Sequence, residues 1–112
     1  MRIEAIWLAV GGSDLRGGMD RLLSQVIGRF GAAQPHHAYV FANRRATRLK
    51  VLVFDGAGIW LCTRRLQQGG FAWPQNEGAA VRVSARQWEW LVAGLPWQRM
   101  TAAAQAQAIR VI

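Results

Sequence analysis

In 112 residues the chain has one cysteine, one lysine, three prolines and six acidic residues, and each scarcity excludes something. A lone Cys62 permits neither an internal disulfide nor a cysteine-rich zinc site. Its setting, Ile59-Trp60-Leu61-Cys62, predicts a buried, inert thiol, and His36 and His37 stand in a different segment with no spacing that would activate it. The same two histidines after Pro35 read as an exposed loop pair, because no further ligand-type residue is spaced to complete a metal site. No apolar run nears the ~20 residues needed to cross a bilayer. No signal-peptide cleavage pattern follows Met1-Arg2-Ile3-Glu4, so a cytoplasmic protein with no membrane partner is expected.

What is present is a large apolar fraction and an excess of one charge. Hydrophobic residues make up 52% of the chain and aromatics 10%, enough for a core without staples and too much for disorder along most of the chain. Fourteen basic residues, thirteen of them Arg, face six acidic ones and leave +8. A domain so basic repels itself unless the excess meets a polyanion. Nucleic acid is favoured over an anionic membrane, since no amphipathic basic helix is visible.

The pattern along the chain predicts a single α+β domain, an antiparallel β-sheet with two packed helices. The domain spans residues 1–97, and an Ala- and Gln-rich tail over 98–112 is either a frayed helix or disordered. Ala5 to Val10 reads as a strand ended by Gly11-Gly12. Met19, Leu22, Leu23, Val26, Ile27 and Phe30 form one stripe of an amphipathic helix that Gly31 stops. Tyr39 to Ala42 is a second strand. Arg48 to Phe54 and Ile59 to Arg65 then flank Asp55-Gly56 as a hairpin. With Gly56 and Ala57 at the loop centre, Phe54 opposes Ile59, Leu52 opposes Leu61, Lys50 opposes Thr63 and Arg48 opposes Arg65. Val81 to Val83 is a short strand, and Ser84 with Gln87 three residues on is a capping box for a helix to Ala93.

The hairpin carries the best candidate site. Between positions 44 and 65 there are six basic residues and one acidic one, so this segment holds +5 of the +8. The register gathers Arg44, Arg45, Arg48, Lys50, Arg64 and Arg65 at the end away from the turn. A concentrated patch on rigid strands grips phosphates; the bland alternative is a solvated sheet end. Asp14 and Arg16 before the first helix read as an ion pair that shapes the turn, or as an Arg aimed at a phosphate. Most of the six Trp belong to the core, but Trp73 lies in a non-periodic stretch and Trp90 falls off its helix stripe. Those two are the candidates for stacking on bases or touching a partner. Asp14, Asp20 and Asp55 each have a local role in a turn, a first helical turn and a hairpin, so no metal and no catalytic residue is assigned.

The segments SDLRGGMDRL, YVFANRRATRLKVLVFDGAGIWLCTRRLQQGGFAWP and VRVSARQWEWLVAGL occur in this order over Trp7 to Trp97. Together they make the chain resemble the second-orf-like (TnpB) accessory proteins of insertion sequence family 66. Asp14, Arg16 and Asp20 occupy that family's turn motif, and Arg44, Arg45, Arg48 and Lys50 its basic hairpin; Val53 stands where the family has a second aromatic. The resemblance implies a non-catalytic role beside a larger transposase that carries the acidic catalytic triad. The expectation is an accessory protein of DNA transposition, without cofactor, whose partners are DNA and that transposase. The rival is a protein–protein adaptor that docks on the transposase or on a second copy as a homodimer; a bare apolar hairpin face would favour it.

Overall fold

The structure is a computed structural model that describes residues 1–75 and 78–100. The elements run β1 (Ala5–Gly12), α1 (Gly18–Phe30), β2 (His37–Ala42), β3 (Arg48–Phe54), β4 (Ile59–Arg65), β5 (Ala80–Val83) and α2 (Ala85–Val92), then a 3₁₀ turn at Trp97–Arg99. The five strands form one sheet in the order β4-β3-β2-β1-β5, as the α+β reading requires. One pairing departs from an all-antiparallel sheet: β1 and β2 run parallel, from Ala5 opposite His37 to Leu8 opposite Val40. The connection dictates this. A strand followed by a helix laid over the sheet returns to its starting end, so the next strand runs the same way. The other pairings are antiparallel.

Alternation along the strands sorts the core into two faces. Ala9, Tyr39, Phe41 and Leu52 pack under Leu22 and Val26 of α1. Ile6, Leu8, Val40, Leu49 and Val53 belong with Leu91 of α2 and with Phe71, Trp73 and Trp97. Tyr39 is buried because its hydroxyl is satisfied: Oη accepts from Gln34 N–H at 2.8 Å and donates to Ala32 O at 3.4 Å. The sheet is thus a middle layer with one helix on each side.

Local signals placed the elements. The hairpin pairs Phe54 with Ile59 through Arg48 with Arg65 in the expected register. Asp55 N–H donates to Gly58 O at 3.0 Å, and Gly56 sits at φ +93, where an L side chain is strained. The Asp55 carboxylate accepts from Ala57 and Gly58 N–H at 2.9 and 2.7 Å and from Trp60 Nε1 at 2.8 Å. Those bonds, Gly58's first, hold its carboxyl below the usual carboxylate range.

At α2 the capping box is complete, with Gln87 N–H donating to Ser84 Oγ at 3.1 Å and Ser84 N–H to Gln87 Oε1 at 2.8 Å. Ser84→Ala is expected to cost about 1 kcal/mol, about 4–8 °C of melting temperature for a domain of this size. Ser84→Gly should cost only a few tenths of that energy, and thermal denaturation followed by circular dichroism compares the two. An alanine variant that melts with the wild type would mean the cap carries no stability.

The tail is described only as far as Met100, so the expectation for 101–112 lies outside the described residues. Among the described residues no helix is long and apolar enough to cross a membrane.

Candidate nucleic-acid interface

The loop from β2 to β3 is built around Asn43. Its Oδ1 accepts from Thr47 and Arg48 N–H at 2.9 and 3.0 Å, and its Nδ2 donates to Thr47 Oγ1 at 3.0 Å. Ala46 N–H donates to Asn43 O at 2.9 Å, and Phe71 N–H clamps Ala46 O at 2.6 Å. These bonds tie down the loop that carries Arg44 and Arg45, both of which are exposed. Sequence reasoning found the two arginines and missed the asparagine that organises them, although an Asn at the start of a tight loop is a turn signal.

Pairing then places Arg48 opposite Arg65 and Leu49 opposite Arg64, all three arginines exposed at the same end of the β3–β4 hairpin. Among the described residues none of the six basic groups from Arg44 to Arg65 forms an ion pair with a carboxylate. Two of the six are committed elsewhere. Lys50 is half-buried and its Nζ donates to Leu15 O at 2.7 Å, tying the β1–α1 loop to β3. Arg64 Nε donates to Val92 O at 2.7 Å at the end of α2, where a cation meets the negative end of a helix. The free set is therefore Arg44, Arg45, Arg48 and Arg65, with Arg64 and Lys50 adding charge from fixed positions.

Asp14 and Arg16 meet as a forked pair. Arg16 Nε and Nη2 donate to Asp14 Oδ1 and Oδ2 at 3.0 and 3.2 Å, and Arg16 N–H donates to Oδ1 at 3.0 Å. Arg21 Nη2 stands 3.7 Å from Oδ2. Arg16, first among these neighbours, lowers the Asp14 carboxyl to about 2. The pair is intact at neutral pH and is lost only as the pH falls through that value. It is a surface pair, not a buried one.

The two suspected tryptophans differ in exposure. Trp73 is only 7% exposed, and its Nε1 donates to Ala9 O and Gly11 O at 3.0 Å each, so it seals the end of β1 and its ring faces are not free to stack on a base. Trp90 is half-buried against the α2-side core. The exposed one is Trp60, at 53%, held by Asp55. Cys62, expected to be buried, is exposed on β4 beside an apolar concavity of about 370 Å³ lined in part by Ile3, Val51, Val53 and Trp88. The histidines are not an exposed loop. Both are half-buried, His36 is bonded through its backbone to Glu4 and Phe54, and His37 Nδ1 accepts from Trp7 Nε1 at 3.1 Å.

Asp14, Asp20 and Asp55 sit in a loop, on α1 and in the hairpin turn, and among the described residues no group of three or more His, Cys, Asp or Glu is placed to hold a metal ion.

Comparison with known proteins adds a family. The family model described as IS66 Orf2 like protein matches residues 4–102. Two similar proteins are the uncharacterized proteins y4hO and y4jC of Sinorhizobium fredii (strain NBRC 101917 / NGR234). One, y4hO, is 35% identical over 95 residues, which cover 83% of this chain and 82% of the relative. The other, y4jC, is 35% identical over 89 residues, 78% of this chain and 75% of the relative. No solved structure matches.

Proposed function

The chain belongs to the IS66 Orf2-like family, and from that premise we propose that it is a non-catalytic accessory protein of transposition that binds DNA through the basic end of its β3–β4 hairpin. Family membership supports the transposition-associated role. The observation that carries the DNA-binding part is the set of exposed arginines, Arg44, Arg45, Arg48 and Arg65, presented on a pinned loop and paired strands with no carboxylate partner among the described residues. Cations held at fixed spacing release counterions from a phosphate backbone without needing a base-reading element. In this reading the protein holds element ends or displaced strands while the separate transposase cuts.

A second reading has its own observation. The concavity beside Cys62, with exposed Trp60 on the same edge strand, is the kind of apolar surface on which a protein partner docks: the transposase or a second copy. Titrating labelled duplex and single-stranded DNA at about 50 mM salt separates the two readings, since phosphate contacts are strongest there. Saturable binding unaffected by Trp60→Glu is the expected result. Absence of binding to either form, with self-association or transposase binding lost in Trp60→Glu, would replace the DNA reading by the adaptor.

A further inference from the structure

The parallel strands β1 and β2 end side by side, and their carboxyl ends release two loops together: residues 13–17 toward α1, and residues 43–47 toward β3. In open sheets with parallel strands, ligands sit in the crevice outside the carboxyl ends where the connections diverge. Here one connection climbs onto a face of the sheet and the other turns back as a hairpin. Between them lies a cleft of about 380 Å³ lined by Gly12, Ser13, Asp14, Arg16 and Arg44.

Packing does not account for this cleft. The Arg16 side chain is 91% exposed and buries nothing, yet Asp14 fixes it through Nε and Nη2. An exposed pair of that kind adds little stability. Its physical effect is to hold one edge of the guanidinium while the remaining N–H groups face outward. Gly12 lies where the end of β1 meets the second loop: a Cβ there would stand 2.7 Å from the Arg44 Cα, so only glycine allows this close an approach. The Lys50 bond to Leu15 O anchors the first loop and brings a further positive charge to its base. Ser13 Oγ, shielded from solvent, has no hydrogen-bond partner among the described residues.

We infer that this cleft is a phosphate subsite, with Arg16 and Arg44 as its cationic lips and Asp14 as the positioning residue for Arg16. A planar fork held on one side by a carboxylate presents its other side in the geometry a phosphate accepts. The inference rests on the reading of the chain as a DNA binder and deepens it. Arg44 is shared between the cleft and the hairpin end, so a strand crossing the arginines of the hairpin would place one phosphate in the cleft.

The test uses variants that keep the charge. Arg16→Lys preserves +1 but cannot make the two-point grip with Asp14, and Gly12→Ala changes no charge but pushes the Arg44 backbone away. Both are expected to weaken binding of a short DNA strand about tenfold, the worth of one charge-assisted contact, with melting curves recording that each variant is folded. Arg86→Ala, which removes a charge on α2 beside Glu89, is the control and should weaken binding by less than twofold. If Arg16→Lys and Gly12→Ala bind as the wild type does while Arg48→Glu does not, the cleft is no subsite and the hairpin reading stands. If the wild type binds no DNA at all, titration with inorganic pyrophosphate followed by amide shifts decides the cleft separately. Shifts confined to residues 12–16 and 44 would keep it as a phosphate site; their absence would overturn it.

Discussion

Trp73→Ala is expected to be the most damaging single substitution outside the strands, costing about 3–5 kcal/mol of a total that for such domains is about 5–15. Two losses add. The cavity left by an indole that is 7% exposed cannot be filled by solvent-facing neighbours. The carbonyls of Ala9 and Gly11 also lose the donor that serves both. The backbone of this stretch is tied to β1 as well, since Gly11 N–H donates to Pro74 O at 2.9 Å. A fall in melting temperature of about 12–40 °C follows, and Trp73→Phe, which keeps a ring but no N–H, should fall between it and the wild type. A Trp73→Ala protein that melts like the wild type would contradict the burial described and reopen the ring as a contact surface.

Arg44→Glu combined with Arg48→Glu is expected to leave the fold intact and remove DNA binding. Both side chains are exposed, and neither makes a hydrogen bond or ion pair among the described residues, so their reversal costs little stability. Binding loses two charge-assisted contacts and gains two repulsions. The loss is on the order of a hundredfold, about 3 kcal/mol, at moderate salt. Equilibrium titration of the folded double variant checks it. Wild-type affinity in that variant would mean that the hairpin end is only a solvated rim. Arg64→Glu should behave differently, since Arg64 Nε serves the end of α2 through Val92 O, and its reversal should lower melting temperature as well as affinity.

The contrast between Arg48 and Arg64 illustrates how far the sequence could be read. Strand alternation and the Asp-Gly turn fixed the hairpin register, because a slip of one residue would have turned Leu52 and Leu61 away from α1. The α1 stripe and the α2 capping box were legible for the same reason, as each is a local pattern with a local cause. Contacts made across long separations were not. Nothing near Lys50 in the chain announces that its ammonium reaches Leu15 O, 35 residues away. Nothing around Trp73 points to carbonyls more than 60 residues earlier.

Coverage of the sheet was equally hidden. An eight-residue helix such as α2 is about 12 Å long, whereas five strands span about 19 Å between the outermost two. On the α2 side the edge strand β4 leaves Trp60 and Cys62 facing solvent, while Ile59 and Leu61 on its other side pack against the α1-side core. The parallel pairing of β1 with β2 was implicit in the strand–helix–strand order. The cleft at their carboxyl ends was not, because it needs the β2–β3 loop to fold back on Gly12.

In the proposed function, arginines at one end of the sheet neutralise phosphates. The salt dependence of DNA binding between about 50 and 200 mM tests it most directly. Four to six phosphate contacts predict that log K falls against log salt with a slope of roughly −4 to −5 for duplex and roughly −3 to −4 for single strands. A slope near zero, or no binding at the lowest salt, would contradict the account and leave the apolar edge beside Trp60 as the surface through which the protein acts.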